Sequence, residues 1–237
     1  MNKIAIVLFN LGGPDAPDAV QPFLFNLFND KAIIGAPQPI RWLIAKLIST
    51  RRAPIAREIY AELGGKSPLL ENTEAQARAL EEVLSSAYPD REFKCFIAMR
   101  YWHPMALQTA VAVRDWGADD VVLLPLYPQF SSTTTGSSIE AWNKAAAKAG
   151  LVGDTWGVCC YPENDGFIDA ITARLRSELA EVDTVGTVRV LFSAHGLPQK
   201  IVDGGDPYQW AVERTAAAVV ARLAISAIDW IVSYQSR

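Results

Sequence analysis

Histidine is scarce in this 237-residue chain, which has only His103 and His195. Cysteine is nearly as rare: Cys95, Cys159 and Cys160 are an odd set with no CxxC spacing. That argues against a disulfide framework and a cysteine-held zinc site, and it fits a reducing cytoplasm. Positive charge is not in excess, with 22 Lys and Arg against 26 Asp and Glu, so there is no general attraction to nucleic acid and any anion site must be local. No long hydrophobic run opens the chain. The first apolar stretch covers only residues 4–9, too short for a signal-peptide core or a spanning helix, so the chain is expected to be neither exported nor transmembrane. The fingerprints GxGxxG and GxxxxGK[ST] are both missing, which leaves nucleotide binding little support.

What is present is the balance of a globular protein, half hydrophobic and one fifth charged, in a chain long enough to bury a sizeable core. Short β-branched or apolar runs at 4–9, 93–99, 121–126, 155–160, 188–192 and 229–234 predict strands. Between them, helical patterns cover 19–29, 71–87, 105–116, 139–149, 167–179 and 208–223, with Asn72 or Thr73 as the cap of the second. Such alternation predicts an α/β fold with parallel sheet covered by helices on both faces. Gly150 and Gly153 suggest a boundary, giving two Rossmann-like domains at 1–150 and 151–237. The last strand ends at Tyr234 and the chain stops at Arg237, cutting a strand from the helix that should cover it, so the second domain is expected to be truncated.

Three segments carry chemistry. The run Val188-Arg189-Val190-Leu191-Phe192 leads into Ser193-Ala194-His195-Gly196-Leu197-Pro198, which sets His195 at the carboxyl end of a parallel strand, where open α/β sheets place their ligands. Gly196 lets a ligand approach the backbone, and an imidazole there can accept a proton or bind a divalent metal. Residues 31–57 hold Lys31, Arg41, Lys46, Arg51, Arg52 and Arg57 without one acid, amid Ile, Leu and Trp. The segment reads as a lip over a pocket for a large flat apolar ligand with carboxylates at its edge, clamped by Arg51 and Arg52. A surface helix with a solvated basic face and shallow contact with a membrane surface are other uses of the same features. Arg100-Tyr101-Trp102-His103-Pro104 closes the second predicted strand, bringing a cation and a phenol to the same sheet edge as His195, with His103 read as structural.

Leu11-Gly12-Gly13-Pro14, Gly64-Gly65-Lys66-Ser67-Pro68, Arg100-Tyr101 ahead of His103-Pro104, Leu126-Tyr127-Pro128-Gln129, Thr134-Thr135-Gly136-Ser137-Ser138, Ser193-Ala194-His195-Gly196-Leu197-Pro198 and Tyr234-Gln235-Ser236-Arg237 occur in this order. Together they resemble the ferrochelatase family. The resemblance implies two chelatase-like domains with four-stranded parallel sheets, the second incomplete here. It implies insertion of ferrous iron into protoporphyrin IX, with porphyrin and Fe²⁺ as substrates and no tightly bound cofactor. Another tetrapyrrole chelatase, for cobalt or nickel, and a non-catalytic haem carrier are the rivals. By resemblance His195 is the active-site histidine, as base or metal ligand. Arg52, Tyr60 and Ser67 match porphyrin-contacting positions, and Leu11, Arg100 and Tyr101 pocket-lining ones. A second histidine of some members falls at Asn164, so no metal relay is expected there. The family's glutamate facing the histidine lies in a continuation beyond the supplied residues, and no iron-sulfur cluster is expected. A cytoplasmic enzyme with peripheral membrane contact through 31–57 completes the expectation, the oligomeric state being left open.

Overall fold

The computed structural model describes residues 2–182, 188–225 and 228–235. These form two compact units, the first running to Tyr127 and resuming over Ser132–Cys159, the second comprising Pro128–Ser131 and the residues from Cys160 onward.

In the first unit, β1 (Asn2–Asn10), β2 (Arg91–Met99), β3 (Asp120–Pro125) and β4 (Asp154–Gly157) make one parallel sheet in the order β2-β1-β3-β4. β1 is central, with Ile4 opposite Phe93 on one side and Asp120 on the other. Its six residues from Ile4 to Phe9 are all buried, because helices cover both faces of a parallel sheet. Side chains alternate across the pleat. Ala5, Val7 and Phe9 pack with Phe96, Val113 and Trp142, under α4 (Ala106–Trp116) and α5 (Ser137–Ala149). Ile6 and Leu8 pack with Ala77, Leu80 and Leu84 of α3 (Leu69–Ala87). Neither Asn72 nor Thr73 caps α3, which starts one turn earlier behind Pro68. Thr73 is instead buried inside the helix, donating to the Leu69 carbonyl at 2.7 Å and accepting from Asn10. β4 stops at Gly157, three residues short of expectation. Val158 still donates to Leu123 O, and then the chain leaves the sheet.

α1 (Val20–Phe28) and the 25-residue α2 (Gln38–Glu62) lie beside this sheet. The periodicity of α2 is inverted. Its buried face is Ala45, Ser49 and Ala53, whereas Ile40, Leu43, Leu47, Arg51 and Ile55, at spacings of three and four, are exposed. Small residues let α2 sit close to its neighbour, and the large ones point outward. The segment read as a lip is therefore mostly one long helix, interrupted in its hydrogen bonding only by Pro54.

The second unit holds α6 (Asp165–Glu181), β5 (Arg189–His195), α7 (Gln199–Asp203), α8 (Tyr208–Leu223) and β6 (Asp229–Gln235). β5 and β6 pair in parallel, from Arg189 opposite Asp229 to His195 opposite Gln235. α8 buries Ala211, Thr215, Ala216, Val219 and Leu223, and α6 buries Ile168 and Thr172. One face of the two-stranded sheet is open, with Leu191 64% and Ile231 50% exposed. The predicted Ser236 and Arg237 fall outside the described residues.

Candidate functional site

The turn after β1 and the loop before α3 fit into each other. Gly12 has φ of +85°, and a Cβ on it would come within 2.9 Å of Trp102 N. A Cβ on Gly13 would lie 2.4 Å from Ser67 Oγ. Only glycines allow this approach. Ser67 N donates to Pro14 O at 2.8 Å, and Ser67 Oγ accepts from Leu69 N at 3.3 Å. Ser67 and Leu11, far apart in sequence, are thus held by one pair of turns.

Arg100 and Tyr101 extend β2 past its end. Their backbone N–H groups donate to Asn10 O at 2.9 Å and Leu11 O at 3.0 Å. Arg100 Nε donates to Ser137 Oγ at 2.8 Å, its Nη2 to Asp30 Oδ2 at 2.6 Å, and Tyr101 Oη to the same Oδ2 at 2.8 Å. Tyr101 is almost wholly buried, packed with Val20, Phe23, Leu24 and Ala53, with Tyr60 at the edge of that cluster. Burial, then the hydrogen bond to Asp30, pushes the Tyr101 phenol well above the ordinary tyrosine range. Burial also raises the Tyr60 phenol. A cavity of about 840 Å³ opens beside Arg100, lined by Asp30, Lys31, Arg41, Ser137 and Lys144. Leu11, Arg51, Arg52, Tyr60 and Ser67 do not line it.

Arg51 and Arg52 do not act as one clamp. Neighbours on a helix point about 100° apart, so Arg51 sits among the exposed apolar side chains while the Arg52 guanidinium lies 5.7 Å from the centre of the Phe28 ring. Two other cations of the segment are engaged in building it: Arg41 donates to Asn29 O and Ala36 O, and Arg57 to Pro17 O. Asp30 is the residue that sequence reasoning missed. A single acid at a helix end carries no pattern, and its role arises only from partners 70, 71 and 107 positions away.

His195 is the last residue of β5, so the strand runs three residues beyond the apolar run that predicted it. It is exposed and lines a cavity of about 390 Å³ with Gln129, Leu191, Ser193, Tyr208 and Thr215. Gln235 fixes the strand ends, its Nε2 donating to Ser193 Oγ at 2.6 Å and its carbonyl accepting from Gly196 N at 2.8 Å. Contrary to the expectation from sequence, His195 does not share a sheet edge with Arg100 and Tyr101. It ends a strand of the two-stranded sheet, and they follow a strand of the four-stranded one. His103 bonds through Nδ1 to Gln108 Oε1 at 2.9 Å beside the start of α4. Asn164 caps α6, accepting from Phe167 N at 3.2 Å.

The ferrochelatase family profile matches residues 3–237. The chain belongs to the ferrochelatase family. It is 57% identical over 235 residues to the ferrochelatase of Caulobacter vibrioides strain NA1000, covering 99% of this chain and 67% of that protein. It is 52% identical to the Hyphomonas neptunium ferrochelatase and 48% identical to that of Pelagibacter ubique, covering 65% and 67% of those proteins. The chain thus spans about two thirds of the length of these relatives. Ferrous iron insertion into protoporphyrin, which forms haem, is the chemistry of ferrochelatases. Among the described residues no three His, Cys, Asp or Glu side chains gather into a set that could hold a metal ion. No helix among them is long and apolar enough to cross a membrane.

Proposed function

We propose that this chain acts in ferrochelatase catalysis as the holder of the porphyrin and the bearer of the histidine at which iron enters. Metalation replaces the two pyrrole N–H protons of the macrocycle by Fe²⁺, leaving the ring neutral and releasing two protons. A protein assists by supplying a base and by holding the ring bent, so that the nitrogen lone pairs meet the ion. His195 takes a pyrrole proton or passes the iron. Arg52 orients propionates, with Arg51 on the outer face, and Leu11, Tyr60, Ser67 and Arg100 shape the wall against the ring, with the buried Tyr101 backing it. The observation that carries this reading is the exposed imidazole at the end of a parallel strand, bordering a cavity, in a chain with one other histidine.

The test is anaerobic mixing of the intact ferrochelatase carrying His195→Ala with protoporphyrin and ferrous iron, followed through the Soret band. Loss of a positioned base or ligand lowers turnover about 10²–10⁴-fold while folding is retained. Near-normal turnover would remove His195 from the reaction. The outward face of α2 supports a second role for this chain, peripheral contact with a membrane at the mouth of the site.

A further inference from the structure

We propose that Asp30 is the positioning residue of the porphyrin wall, tying the base of the α2 lip to Arg100 and Tyr101. The inference rests on the role given above to those two residues.

Asp30 stands just after α1, and its two oxygens face different tasks. Oδ1 accepts from Ala32 N at 3.0 Å, which shapes the start of the connection into α2. Oδ2 accepts from Arg100 Nη2 at 2.6 Å, Tyr101 Oη at 2.8 Å and Ser137 Oγ at 3.3 Å. One carboxylate therefore gathers the loop after α1, the extension of β2 and the first residue of α5. The connection it shapes is closed from the other side by Arg41, which reaches from α2 to Asn29 O at 2.9 Å and Ala36 O at 2.8 Å. The pair is well shielded, with the Asp30 side chain 9% and the Arg100 side chain 24% exposed. An arginine fork held at Nε by a hydroxyl and at Nη2 by a carboxylate is fixed in direction. A lip tied to the same carboxylate cannot shift without disturbing that direction. No atom of Asp30 need touch the porphyrin, since its effect passes through Arg100 and Tyr101.

The experiment uses the intact ferrochelatase and the variant Asp30→Glu, which keeps the charge but moves the acceptor by one methylene. A displacement of that size at a positioned group costs about 10–100-fold in turnover. The expected result is that fall in kcat, with KM for protoporphyrin changed by less than about threefold. In a background of Arg100→Lys with Tyr101→Phe, adding Asp30→Glu should cost no more than about a further twofold, since the partners it acts through are already altered. Asp30→Asn, followed in parallel with its melting temperature, provides a second variant. Two results overturn the proposal: wild-type kcat in Asp30→Glu while Arg100→Lys or Tyr101→Phe is impaired, or a loss that multiplies in full with theirs. If Arg100→Lys and Tyr101→Phe both leave kcat unchanged, the wall assignment beneath the proposal fails as well, and that outcome is seen separately.

Discussion

Gly13 carries a tight steric constraint, because a single added carbon would meet Ser67 Oγ at 2.4 Å and Ser67 Cβ at 2.5 Å. The obstacle includes the Cβ, so rotating the serine does not remove it. Gly13→Ala is expected to cost about 1–3 kcal/mol, read as a melting point lowered by roughly 2–4 °C per kcal/mol. It should also weaken porphyrin binding by displacing Ser67. Cys95 gives a different kind of residue-scale test. Burial, with Glu81 beside it, pushes the Cys95 thiol up to about 12, and only the thiolate reacts. At pH 8 its thiolate fraction is on the order of 10⁻⁴, whereas Cys159 is exposed. Alkylation at pH 8 followed by peptide mass mapping should therefore label Cys159 and spare Cys95; equal labelling would show that Cys95 is not shielded as described. The glycine turns and the strand-end position of His195 were legible in the sequence because turn chemistry and a strand end leave local marks. Asp30 was not, since its meaning depends entirely on distant partners.

α2 shows why an element can hide its role. Helix recognition relies on large apolar residues facing inward, and here the inward positions are Ala45, Ser49 and Ala53. Greasiness with cations was visible, but not the direction in which it pointed. That direction yields a prediction. Leu43 and Leu47 are 63% and 51% exposed, so Leu43→Asp with Leu47→Asp should leave the melting temperature within a few degrees. Burying one leucine in lipid contributes about 1.5–3 kcal/mol, so the double variant should lose more than tenfold in binding to anionic phosphatidylserine-containing vesicles, measured by co-sedimentation. Unchanged sedimentation would remove the membrane role. Arg52 is exposed on the same helix with its guanidinium over the Phe28 ring. Arg52→Ala should weaken protoporphyrin binding by about 1–3 kcal/mol, and Arg51→Ala by clearly less, because the helix turns the two apart.

At the scale of the whole molecule, the strand and helix alternation was legible almost throughout, and most plainly at β1, because a parallel strand buried on both faces is written as an unbroken apolar run. The pairing of β4 with β3 and the return of 128–131 to the second unit were not, since pairing partners lie beyond any local pattern. The two units differ in how completely they bury their sheets. In the first, Ala5 and Val7 of the central strand are fully buried and Leu8 nearly so, between α3 on one face and α4 with α5 on the other. In the second, Leu191 and Ile231 stand in the open, and no residue of β5 or β6 is fully buried. Opening free energies follow buried apolar contact and protected hydrogen bonding. Native-state hydrogen exchange of this 237-residue chain should therefore show the amides of Ile6, Val7 and Leu8 as the slowest class, and those of Leu191, Phe192 and Ile231 faster by about tenfold for each 1.4 kcal/mol by which their unit opens more easily. Equal protection of β1 and β5 in the free chain would mean that the open face of the second sheet is covered in solution.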